Sequence, residues 1–138
     1  MRLVLDANEY IFSLGSQRER ACEQLLDWMA QARPKIEIRI PRLIANEVRR
    51  NLTPEAFREF LRVIDLVTSI DEDSVVPFEL GSRYEWQGLK PADAFIAAYT
   101  EWVGADVLIS ENRHFLTRHA DLPFRVRTAH AFLQQLTT

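Results

Sequence analysis

Two apolar runs in this chain end in side chains that can carry or share charge. Leu3-Val4-Leu5 stops at Asp6, within Asp6-Ala7-Asn8-Glu9, and Val107-Leu108-Ile109 stops at Ser110-Glu111-Asn112. Short, wholly apolar runs read as strands buried on both faces of a parallel sheet. Ligands of such sheets sit beyond the carboxyl ends of the strands, where both runs put polar groups. Two more acids stand where hydrophobicity argues against them. In the helix opened by Pro41, a wheel turning about 100° per residue sets Glu47 beside Leu43, Ile44 and Val48. It lies inside the apolar stripe, while Arg42, Arg49 and Arg50 mostly point elsewhere. Asp93 opens PADAFIAAYTEW, a helix with almost no polar face. Such a helix is mostly buried, and Ala94, Ala97 and Ala98 would let it approach the sheet closely.

A carboxylate turned toward a core costs several kcal/mol unless something compensates it. Carboxylates that converge either hold protons or share cations. Oxygen ligands in this number suit Mg2+ or Mn2+. Such ions acidify bound water and stabilise the attacking and leaving oxygens of a phosphodiester, so hydrolysis of nucleic acid is the chemistry expected. Each acid also has a structural reading. Asp6 suits a turn or the cap of a following helix. Asp93, in a first helical turn after Pro91, suits the helix dipole and the free N–H groups there. Singly, these readings are as strong as the functional ones. Glu47 has the weakest, a buried pairing with an arginine. Taken jointly, the three acids point to one site.

The elements that must position them follow from the pattern. Strands are expected at 3–5, 36–40, 107–109 and 124–126. Ile36-Glu37-Ile38-Arg39-Ile40 alternates strictly, as a half-buried strand does. Helices are expected at 17–31, 41–50, 54–67, from Pro77 to near Gly88, 92–103, 113–118 and 128–136. Gly104 closes the fifth of these. The acidic stretch 69–74 reads as a loop. Strands alternating with helices predict an α/β fold, a central, mostly parallel sheet with helices on both sides. Cys22 lies on the apolar stripe of its helix with Ala21, Leu25, Leu26 and Met29, and reads as a small core hydrophobe.

The chain has 138 residues, 47% of them hydrophobic and 27% charged, which suits one compact domain over 1–138 with a real core. A net charge of −3 argues against coating nucleic acid by bulk charge, though not against a local basic patch. One cysteine allows no internal disulfide and points to a reducing compartment. No window reaches the roughly 18 apolar residues of a membrane span, and the early strand leaves no room for a secretory signal. A soluble, cytoplasmic domain is expected.

Together, LDAN, LIANEVRR, KPADAFIAA and VLISENRHFL, in this order and over nearly the whole chain, resemble the PIN domain. That family is a metal-dependent ribonuclease fold that includes the VapC-type toxins of bacterial toxin–antitoxin pairs. The resemblance implies a three-layer PIN-like fold in which Asp6, Glu47 and Asp93 are catalytic and bind the metal, Mg2+ or Mn2+. It makes Asn8 and Ser110 supporting residues. Asn112 falls where many members carry a fourth acid. An amide is a neutral, weaker metal ligand, which weighs against a second ion, and Glu111 adjoins it as a substitute. The resemblance also implies an antitoxin partner and a homodimer.

Other chemistries fare worse. There is no G-x-S-x-G, P-loop or H-E-x-x-H, and His114, His119 and His130 lack metal-ligand spacing with cysteine. A phospho-accepting receiver domain would want acids after a middle strand, where Pro41 stands. Arg42, Arg49, Arg50, Arg113 and His114, with Lys35, Arg39 and Arg118, are candidates to hold RNA phosphates, or simply solvate their helices. Phe57, Phe60, Leu61 and Ile64 form either core or a partner surface. Two functions remain: an Mg2+-dependent endoribonuclease acting as a toxin, or a PIN-like RNA- or protein-binding module weakened by Asn112.

Overall fold

The computed structural model describes residues 1–32, 35–67, 70–118 and 121–137. Its strands are β1 (Arg2–Leu5), β2 (Glu37–Ile38), β3 (Ile40–Pro41), β4 (Ile70–Asp71), β5 (Val107–Ile109) and β6 (Arg125–Arg127). Its helices are α1 (Ala7–Leu14), α2 (Arg20–Ala32), α3 (Arg42–Arg50), α4 (Pro54–Val67), α5 (Phe78–Trp86), α6 (Pro91–Trp102), α7 (Arg113–Leu116) and α8 (Ala129–Leu136). Four strands form a parallel sheet in the order β2-β1-β5-β6, flanked by helices. This is the expected α/β architecture.

The register sets the site. Leu3, Val4 and Leu5 pair with Val107, Leu108 and Ile109. The ladder runs on through the Asp6 N–H, which donates to the Ile109 carbonyl at 2.9 Å. Asp6 and Ser110 therefore leave neighbouring strands side by side. Leu3, Val4, Leu5, Leu108 and Ile109 are fully buried, as a sheet covered on both faces requires.

Three expectations need correction. The alternating run 36–40 is not one strand. It breaks at Arg39, so that β2 joins the main sheet while β3 pairs with β4 in a separate two-stranded parallel ladder. Part of the stretch expected as an acidic loop is β4, and Asp71 accepts hydrogen bonds from Arg39 and Tyr99. Two charge-assisted bonds satisfy it there. Residues 7–14, missing from the expected helices except in the capping reading of Asp6, form α1. Tyr10, Ile11 and Phe12 favour strands by propensity, but Asp6 caps the helix and Ala7, Glu9, Tyr10 and Ser13 are buried along it. Tertiary burial overrides propensity here. Smaller shifts occur at the starts of α2 and α5, at both ends of β6 and at the end of α7. Ser69 and His119 lie outside the described residues.

The other elements follow their sequence signals. Pro41 takes the cap position of α3 and Pro91 the first turn of α6. Gly104 ends α6 at a φ of +67°, a left-handed conformation that glycine adopts without penalty. Cys22 is buried among core residues. On α4, Phe60 and Ile64 are core and Leu61 is exposed. Among the described residues, no helix is long and apolar enough to cross a membrane.

Phe60 is fully buried, edge-on to Tyr10 of α1 and stacked on Phe57. Phe60→Ala should lower unfolding free energy by about 3–5 kcal/mol in urea titrations. Phe78→Ser, at a side chain that is 84% exposed, should change it by less than about 0.5 kcal/mol. Equal effects from the two would overturn this picture of the core.

Candidate active site

The carboxyl ends of β1 and β5 open onto a chain of hydrogen bonds. Asp6 accepts the Ala7 N–H through Oδ1 and the Ser110 hydroxyl through Oδ2, both at 2.8 Å. Ser110, fully buried, accepts the Asn112 N–H at 3.0 Å. The Asn112 amide Nδ2 donates to Asp93 Oδ1 at 3.1 Å, while its Oδ1 accepts the His114 N–H and caps α7. Asp6 and Asp93, far apart in sequence, are thus joined through two short polar side chains.

Glu47 approaches from α3. It is half-buried, and with Asn8, Ile11, Phe12 and Asn51 it lines a cleft of about 280 Å3. The charges of Asp6 and Asp93 reach it. Partial burial first, then Asp6 and Asp93, raise its pKa above the ordinary carboxylate value, and only Arg50 opposes them. Asp6 is raised chiefly by desolvation, against the bonds from Ser110 and Ala7, with the charges of Asp93 and Glu111 adding to the rise. Among the described residues, no ion pair involves Asp6, Glu47 or Asp93. Asp6, Glu47 and Asp93 thus feel one another's charge, but among the described residues they are not a group whose ligand atoms all lie within 4.8 Å of one another.

Other candidates are distributed differently. Arg42 is paired with Glu72 at 2.8 Å, and Arg39 with Asp71 at 2.9 Å. Arg118 donates to the Gln87 carbonyl. Lys35, Arg49, Arg50, Arg113 and His114 are exposed. Glu111 does not point beside Asn112. Its Oε2 accepts the Ala129 N–H at 3.0 Å, at the start of α8, where the positive end of the helix favours a carboxylate.

There it meets a residue that sequence reasoning passed over. Glu9, on α1, is fully buried. Its Oε2 accepts the Cys22 thiol at 3.1 Å, and no hydrogen-bond donor among the described residues reaches its Oε1. Ligand atoms of Glu9, Cys22 and Glu111 all lie within 4.8 Å of one another. Burial, then contact with Glu111, pushes the Glu9 carboxyl up to about 9, and burial raises the Cys22 thiol as well. The available signal was spacing. An acid three residues after a cap reads as a capping box, yet here the Glu9 side chain enters the core.

No family model matches this chain, and no curated protein does. Solved structures share its fold, two of them as follows. The crystal structure of VapBC2 from Rickettsia felis, bound to a DNA fragment from their promoter, matches with a TM-score of 0.62 at 17% identity, over 93% of this chain and 98% of the other. The crystal structure of FitAcB from Neisseria gonorrhoeae matches with a TM-score of 0.60 at 16% identity, over the same shares.

The Glu9 environment has a consequence for stability. An unfolded glutamate titrates near 4.5, whereas the folded one does so at about 9. Between those values the folded state holds a proton that the unfolded state has lost. Stability therefore falls as pH rises, by about 1.4 kcal/mol per pH unit. Urea unfolding in chelator from pH 6 to pH 8.5 should show this decline, and Glu9→Gln should remove most of it. An unchanged slope in the variant would place the effect elsewhere.

Proposed function

We propose that the protein is a divalent-cation-dependent PIN-type endoribonuclease, acting as the toxin of a bacterial toxin–antitoxin pair. The observation that carries this reading is that Asp6, Glu47 and Asp93, from three separate elements, feel one another's charge near the carboxyl end of the parallel sheet, with no ion pair to any of them among the described residues. The shared fold with VapBC2 supports it, because the sequence resembles VapC-type toxins.

In this reading Asp6, Glu47 and Asp93 hold Mg2+ or Mn2+. When bound, such an ion supplies a more acidic water and charge stabilisation at the phosphodiester. Ser110 and the Ala7 N–H fix the Asp6 carboxylate, and Asn112 fixes Asp93. The Asn112 oxygen is already engaged by the His114 N–H. We therefore assign it an orienting role rather than that of a fourth ligand, and one ion rather than two. Arg49 and Arg50, beyond Glu47, and Arg113 and His114, beyond Asn112, are exposed and free to meet RNA phosphates. Arg42 would first have to leave Glu72. A cognate antitoxin, a homodimer and a cytoplasmic site of action belong to the same proposal. The competing reading is an RNA- or protein-binding module with little cleavage, favoured by the amide at position 112.

Purified protein incubated with mixed RNA should cleave it with Mg2+ or Mn2+ and not with chelator. Asp6→Asn should lose activity by about 100-fold or more. It should keep its fold, because asparagine caps a helix about as well as aspartate. Its stability in chelator should stay level or rise by about 1 kcal/mol, one member of a repelling set being gone. Full cleavage by the variant would defeat the mechanism. RNA binding without metal-dependent cleavage would favour the binding module.

Asn112→Asp replaces the donor that faces Asp93 by a carboxylate. It should destabilise the protein in chelator by about 1–3 kcal/mol and raise Mg2+ affinity, read by calorimetry. Unchanged affinity would mean that position 112 does not reach the metal.

A further inference from the structure

Behind the cleft, Glu9, Cys22 and Glu111 bring two carboxylates and a thiol together from α1, α2 and the turn after β5. Glu9 and Cys22 are 0% and 1% exposed, and Glu111 is half-buried, so the cluster is reached from the Glu111 side. Its unexplained feature is Glu9 Oε1, a fully buried oxygen that no donor reaches among the described residues. Leaving a buried acceptor unpaired is unfavourable. Something positive belongs between Glu9 and Glu111, either a proton or a metal ion. A shared proton would serve the two carboxyls, with the Cys22 thiol donating to Glu9 Oε2 beside it. The convergence of sulfur on the same point favours an ion.

We infer that Glu9, Cys22 and Glu111 form a second cation site, separate from the Asp6 cleft and selective for a borderline-soft ion of the Zn2+ class. A thiolate among the ligands selects against Mg2+, which demands six oxygen-type ligands in a near-ideal octahedron. Zn2+ takes a mixed sulfur and carboxylate set in a tetrahedron, with bonds of about 2.0–2.3 Å that space ligand atoms roughly 3.3–3.7 Å apart. The Cys22 Sγ to Glu9 Oε2 distance, 3.1 Å, is already near that spacing. The others, within 4.8 Å, need a contraction of at most about 1.5 Å. Three protein ligands leave the fourth position to water or to a second Glu111 oxygen. Binding releases the protons of the Cys22 thiol and the Glu9 carboxyl to solvent. Because the ion would tie α1, α2 and the turn after β5 together, its role is structural support beneath the cleft. The inference stands or falls independently of the ribonuclease reading.

Chelator-stripped full-length protein titrated with Co2+ in excess Mg2+ should bind one Co2+ and develop the near-ultraviolet thiolate charge-transfer band. Zn2+ should displace it and raise the melting temperature. Asp6→Asn should keep the band. Cys22→Ala should lose it, and Glu9→Gln should weaken Co2+ binding by about tenfold or more. X-ray absorption of the Zn2+-loaded native chain should show sulfur in the coordination shell, which decides the matter even if Cys22→Ala fails to fold. No band and no sulfur would overturn the site and leave a proton between Glu9 and Glu111. Co2+ binding that disappears only in Asp6→Asn would overturn it too, by assigning the ion to the cleft.

Discussion

The pairing of β1 with β5 is the constraint on which the rest depends. It fixes Asp6 beside Ser110 through the matched register of Leu5 and Ile109. Desolvating a carboxylate there is unfavourable, and the hydroxyl and one backbone N–H offset only part of that cost. Every neighbouring element answers to this charge. α1 uses it as a cap, Asn112 relays from it to Asp93, and Glu47 responds to it from α3. Sliding β1 by one residue would turn its side chains to opposite faces and part Asp6 from Ser110.

The turn Ser110-Glu111-Asn112 divides two acidic regions. Alternate residues face opposite ways: Ser110 and Asn112 toward Asp6 and Asp93, Glu111 toward Glu9, Cys22 and the start of α8. The charges still communicate, since Glu111 raises Asp6 and Asp6 raises Glu9. A change at Glu9 can therefore reach the cleft through the geometry of this turn without touching Asp93 or Glu47.

Much of this was legible in the sequence because burial leaves a pattern. The apolar run before Asp6 and the misplaced acid in the stripe of α3 each announce a carboxylate in an expensive place. What was not legible depends on partners distant in the chain. Strict alternation in residues 36–40 reads as one strand, and only the presence of Ile70 and Asp71 alongside explains the break at Arg39. Tyr10, Ile11 and Phe12 carry strand propensity, so α1 shows itself only once the core that buries Tyr10 is known. Glu9 fits a capping pattern, and nothing local reveals that Cys22 and Glu111 wait for it instead. The departure at Asn112 was visible, but not that its two polar atoms are shared between Asp93 and the cap of α7.

Asp6 and Ser110 lie 104 residues apart, and β1 is synthesised well before β5. While the chain is being made, β1 has no β5 to pair with, and Asp6 has neither the Ser110 hydroxyl nor the Asn112 relay to Asp93. Long-range closure of this kind comes late in folding. Until β5 is made, the nascent chain therefore carries Asp6 without the partners that hold it. If the protein cuts RNA, the message being translated is shielded from it by topology alone until β5 has been made.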